Sequence, residues 1–149
     1  MLSPTNQESC SFNQTIFYEI GFVKDLIRVR VLELTDLFDN YSHYAIRFEY
    51  LNKETEEIFY SNVPATELES LQFALGKIVD FLGTRSKNYS EVVFKSSEGF
   101  ETGCYWDKEN RKWVAYARFG DTPESILAFN KRDYKTFIRR IEAAKEKIL

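Results

Sequence analysis

The sequence predicts an α+β fold built from two ββββα units, each an antiparallel sheet packed with a helix. Three observations carry this reading. Apolar and polar residues alternate in short strand-like runs through 14–63 and again through 89–129. Each series closes with apolar residues at helical spacing, over 68–82 and over 131–149. Between them, Phe100–Phe119 reads as a hairpin whose own side chains fix its register.

In chain order, Gln14–Phe22 is the first expected strand, with Ile16, Tyr18 and Ile20 alternating with Phe17, Glu19 and Gly21. Asp25–Leu34 is the second, with Ile27, Val29 and Val31 on one face and Arg28 and Arg30 on the other. Thr35–Ser42 reads as a loop or helical turn anchored by Leu37 and Phe38. His43–Leu51 is the third strand, setting Tyr44, Ile46, Phe48 and Tyr50 against Arg47 and Glu49. After the polar turn Asn52–Glu56, Glu57–Val63 is the fourth, ended by Pro64.

Thr66-Glu67-Leu68-Glu69 has the spacing of a capping box. Leu68, Leu71, Leu75, Ile78 and Leu82 then follow at helical spacing, with Gly83 suited to a left-handed closing position. Thr84–Asn88 is a linker, Tyr89–Lys95 a fifth strand, and Ser96–Gly99 a turn in which Gly99 supplies positive φ.

In the central hairpin a turn centred between Glu109 and Asn110 places Trp106 opposite Trp113, Cys104 opposite Ala115 and Thr102 opposite Ala117. The other face pairs Glu101 with Arg118 and Gly103 with Tyr116, both stabilising cross-strand combinations. The small residues Cys104, Ala115 and Ala117 leave a trough that a helix can approach closely. Gly120–Pro123 is a turn, Ser125–Phe129 the eighth strand, and Asn130 the cap of a last helix, Lys131–Leu149.

Composition bounds the rest. A chain of 149 residues supports one core, so 14–149 is expected as a single domain behind a mobile tail, 1–13, with 14–83 and 89–149 as a structural duplication. Aromatics reach 16% while Gly and Pro number 6 and 3, which excludes low complexity for most of the chain. The net charge of −3 rules out a global basic field for nucleic acid or anionic membrane, although Lys131–Leu149 alone carries net +4. That basic helix side also has a structural explanation, because cations favour a helix C-terminus. Two cysteines, no signal-peptide pattern and no membrane-length apolar run point to a reduced, cytoplasmic protein with no membrane contact.

The order of strand four times then helix, twice over, resembles the Whirly and PUR-domain families of single-stranded nucleic-acid-binding proteins. The resemblance is one of topology over Gln14–Leu149 and implies a sheet face that takes single strands. No individual residue role is transferred by it.

The residues offer little for catalysis. His43 is the lone histidine, and no nucleophile elbow, phosphate loop or dinucleotide fingerprint accompanies it. Cys104 lies among apolar neighbours, as a small core residue does. Glu54, Glu56 and Glu57 fall in a hairpin turn, where acidic residues protect a sheet edge. The expectation is therefore a non-enzymatic binding protein with no cofactor and no metal. Tyr105 and Tyr116 would stack bases, and Arg118, Arg28, Arg30 and Arg47 would contact phosphates. The competing expectation is a protein-interaction module, a homo-oligomer or an inhibitor-type partner, using the same aromatic surface or the ends of the helices; the acidic balance suits a basic protein partner.

Overall fold

The computed structural model describes residues 10–149. Strands β1 (Asn13–Val23), β2 (Ile27–Asp36), β3 (Tyr41–Leu51) and β4 (Ile58–Pro64) form one antiparallel meander, followed by helix α1 (Leu68–Leu82). Strands β5 (Glu91–Lys95), β6 (Glu101–Asp107), β7 (Lys112–Arg118) and β8 (Ile126–Phe129) form a second, followed by α2 (Lys131–Ile148). The fold is thus α+β with two ββββα units, as the alternation and the two helical stripes require.

The central hairpin has the register its side chains predict. Trp106 pairs with Trp113, Cys104 with Ala115, Thr102 with Ala117, Gly103 with Tyr116 and Glu101 with Arg118. Gly103 is fixed by a close approach: a Cβ there would lie 2.0 Å from the Val92 carbonyl oxygen on β5.

Local chemistry departs from expectation in several places. In the segment Thr35–Ser42 only Leu37–Asn40 is the expected turn, because the Thr35 and Ser42 hydroxyls meet at 2.7 Å and the β2–β3 ladder runs out to Asp36 and Tyr41. Phe38 anchors nothing in the core; it is exposed, edge-on to Phe12 at 5.7 Å. The capping box does not form, since Pro64 leads into a 3-10 turn, Ala65–Glu67, and α1 starts without a side-chain cap. The Glu67 carboxylate instead accepts from the Ser96 hydroxyl at 2.8 Å and the Ser97 amide at 3.0 Å, tying the start of α1 to the β5–β6 turn. Gly83 sits at φ −90° and not in the left-handed region, as the Gly83 and Thr84 amides close the helix on Asp80 and Phe81. Gly99 has the expected positive φ, 94°, and Asn130 accepts from the Asp133 amide at 2.8 Å. Of the segment read as a tail, residues 1–9 lie outside the described residues; Asn13 opens β1 and the Phe12 carbonyl accepts from the Leu37 amide at 2.7 Å.

Each helix packs on the other unit's sheet. Helix α1 lies on β5, β6 and β7, over the trough of small residues, and α2 lies on β1, β2 and β3 with additional contacts to β7 and β8. Phe48 of β3 joins the parts, its ring 4.7 Å from Phe100, 5.2 Å from Phe137 of α2 and 6.0 Å from Phe119. One buried cluster therefore runs from Val23 to Ala144. The exchange leaves the inner face of each sheet covered and its outer face turned away from the core.

Candidate functional site

Arg28, Arg30 and Arg47 come together on the outer face of the first sheet. The β1–β2–β3–β4 register lays out cross-strand rows there: Phe17, Leu32, Ala45 and Pro64; then Glu19, Arg30, Arg47 and Asn62; then Phe22, Arg28, Glu49 and Tyr60. A bulge between Glu19 and Gly21 restores this face after the alternation breaks, which sets Phe22 beside Arg28.

The three arginines have different partners. Arg28 is committed: its Nε and Nη2 donate to Glu19 at 2.9 and 2.6 Å, so that Glu19 is held below the usual carboxylate range. Arg30 donates from Nη2 to Glu49 at 3.2 Å, while its Nε is buried without a partner. Arg47 donates from Nε to Asn62 at 3.0 Å and forms no salt bridge among the described residues. Arg30 and Arg47 stand directly opposite each other, a like-charge juxtaposition that an aromatic screen relieves only in part. Their guanidinium carbons lie 4.8 and 5.7 Å from the Phe17 ring centroid, and Arg47 lies 5.8 Å from that of Tyr60. Phe17 is 47% exposed and Tyr60 56%.

The other predicted residues sit elsewhere. Tyr105, Tyr116 and Arg118 occupy the outer face of the second sheet, and no hydrogen bond, ion pair or ring contact among the described residues joins them to the arginines of the first. Tyr116 donates its hydroxyl to Glu101 at 2.7 Å, and burial, then this carboxylate, pushes its phenol pKa far up. Arg118 donates from Nε to the Gly120 carbonyl at 2.8 Å and from Nη2 to that of Asp121 at 2.9 Å, clipping the turn before β8. Tyr105 is half-buried, 6.2 Å from the Tyr116 ring. The six residues expected to act together thus divide into two groups of three, because each strand's outward residues follow its own sheet.

Sequence reasoning passed over a basic cleft at the far end of the second sheet. The α1–β5 loop brings Arg85, Ser86 and Lys87 against Lys108 and Arg111 of the β6–β7 turn, around an open cleft of about 400 Å³ lined also by Trp106. Read separately, these loops are a linker and a hairpin turn. Their shared basic content was visible in Arg85/Lys87 and in Lys108/Arg111/Lys112, but their proximity was not.

The remaining candidates find structural places. Cys104 is buried and its thiol pKa is pushed up to about 11 by that burial, the opposite of an activated nucleophile. His43 is exposed and stacks on Tyr41 at 6.2 Å. Among the described residues no group of three His, Cys, Asp or Glu side chains is placed to hold a metal ion, and no helix is long and apolar enough to cross a membrane. On α2, Arg140 donates to the Phe22 carbonyl at 3.0 Å and Lys147 lies 4.5 Å from the Tyr18 ring centroid, so part of the basic helix side holds α2 to β1. No protein-family model, curated protein or solved structure matches this chain.

Proposed function

We propose that the protein is a non-enzymatic binder of single-stranded nucleic acid, acting through the outer face of the first sheet in a reducing, cytoplasmic compartment. The observation that carries this reading is the opposed Arg30–Arg47 pair beside two open aromatic rings. Arg47 has no carboxylate, and the pair's mutual repulsion falls when an anion bridges it. Bases stack on Phe17 and Tyr60 while the backbone phosphates take Arg47 and Arg30. Arg28 positions the row through Glu19, and Tyr105, Tyr116 and Arg118 stay outside the contact. The Whirly- and PUR-like order of elements supports the reading by analogy only.

Fluorescence anisotropy with labelled single-stranded oligonucleotides at low and physiological salt tests it. The expected result is salt-sensitive binding weakened by about tenfold to a hundredfold in the Phe17→Ala, Arg47→Ala double variant. Equal affinity in that variant, or no wild-type binding at low salt, overturns the assignment.

A second reading, self-association through β1, is favoured by a specific feature. β1 is an edge strand whose first six residues, Asn13–Tyr18, carry no charge, with Ile16, Phe17 and Phe22 exposed along it. The other three edges are ended by Pro64, charged by Glu91 and Lys95, or limited to the four residues of β8. Sedimentation equilibrium decides this: a wild-type dimer that Ile16→Lys converts to monomer establishes the edge as an interface, and a concentration-independent monomer removes it.

A further inference from the structure

We infer that the basic cleft between the α1–β5 loop and the β6–β7 turn is a binding site for a polyphosphate group, separate from the sheet surface proposed above. Four cations, Arg85, Lys87, Lys108 and Arg111, line one open cleft of about 400 Å³, a size that admits a nucleotide. None of the four forms a salt bridge among the described residues, although the chain as a whole carries net −3.

The nearby carboxylates offset them only in part, and neither forms a salt bridge with them. Asp107 is engaged in its own turn, accepting from Asn110 Nδ2 at 2.8 Å and from the amides of Glu109 and Asn110 at 3.1 and 3.3 Å. Glu109 is exposed on the same turn and is the single remaining acid of that loop. Four cations around one cleft, against the two carboxylates of the turn, leave a local excess of positive charge that a multivalent anion matches. One anionic charge would leave the cluster net positive; adjacent phosphates match it.

The cleft also has an aromatic element. Trp106 lines it, packed edge-on against Trp113 at 5.6 Å, and its indole N–H has no hydrogen-bond partner among the described residues. Only Arg30 Nε and Ser61 Oγ are buried without a partner among the described residues, so the Trp106 indole N–H is open at the cleft wall, where water or a ligand oxygen accepts from it. The loop that carries Ser86 and Lys87 is itself fixed, by the Ser86 hydroxyl donating to the Asn88 carbonyl at 2.6 Å and by the Trp113 indole donating to the Thr84 hydroxyl at 3.2 Å. Arg111 occupies a left-handed turn position, φ 51°, where glycine would sit without strain.

That last feature supplies the test. Arg111→Gly removes a cation while relieving the backbone, so its fold is retained or strengthened, and Lys87→Ala adds a second, exposed change. Isothermal titration of the full chain with inorganic tripolyphosphate and with ATP, in about 150 mM salt, is expected to show binding that the double variant weakens by about tenfold or more. ATP binding tighter than tripolyphosphate, with quenched tryptophan fluorescence, assigns the phosphates to a nucleotide; equal affinity assigns an inorganic chain, and both support the site. Orthophosphate competing as well as tripolyphosphate, or variant affinity equal to wild type, overturns it. The Phe17→Ala, Arg47→Ala protein is expected to keep ATP binding, so failure here and failure of the sheet-face reading are read out separately.

Discussion

The outer faces of the two sheets use the same residue types to different ends. Both present arginine beside aromatic rings. On the second sheet Tyr116 and Arg118 are satisfied within the chain, the Tyr116 hydroxyl on Glu101 and Arg118 on two turn carbonyls. On the first, Arg47 lacks a carboxylate, faces Arg30 across the strands, and shares two rings that are roughly half exposed. The lesson is that an Arg–aromatic face is informative only after its internal partners have been counted. Saturated donors hold turns, and unsaturated ones are the ones on which a proposed ligand contact can rest.

Both faces hang from one core, and the largest predicted effect tests that coupling. Phe48→Ala removes the ring shared by the first sheet, the ends of the hairpin and α2, and is expected to cost about 3–5 kcal/mol. Urea unfolding should stay a single transition monitored by tryptophan, all of which lies in the second sheet, and by far-ultraviolet circular dichroism. Two separated transitions would show that exchanged helices do not couple the units.

A smaller effect sharpens the contrast between faces. Arg118→Ala should lose about 1–2 kcal/mol of stability through its two turn bonds, yet leave oligonucleotide affinity unchanged. A binding loss without a stability loss would move Arg118 into the interface and make the two outer faces alike.

The smallest effect concerns acid. Hydrogen bonds from Ser97 hold Glu67 below the ordinary carboxylate range, Arg28 does the same for Glu19, and Asn110 for Asp107. Each folded-state pKa lies under its unfolded value, so the stabilisation is complete at neutral pH and is lost as pH falls below about 4. Glu67→Gln should flatten that acid decline slightly without altering binding; an unchanged melting-temperature profile from pH 6 to pH 3 would show that the link to the β5–β6 turn contributes nothing.

Much of the fold was legible because its signals are local. The hairpin register could be read from Trp106/Trp113, Glu101/Arg118 and Gly103/Tyr116, since every pair is counted outward from one turn between Glu109 and Asn110. Asn130 as a cap could be read for the same reason. The capping box failed because Pro64 and the 3-10 turn redirected Glu67 to Ser96 and Ser97, about thirty residues away in sequence. The candidate site was legible in part. Alternation along β2 and β3 puts Arg28, Arg30 and Arg47 on one face, and the duplicated order already puts Tyr105, Tyr116 and Arg118 on the other sheet, but nothing local shows whether the two outer faces adjoin.

The sequence by itself determined the eight strands, the two helices, their order, and which sides of β2, β3 and the central hairpin are apolar, because periodicity and turn chemistry act over a few residues. Only the tertiary structure decided that each helix covers the other unit's sheet, that Arg30 and Arg47 remain partly unpaired, and that Arg85, Lys87, Lys108 and Arg111 share a cleft. Those outcomes rest on contacts between distant segments, and the pairing of one loop or helix with another leaves no period in the chain.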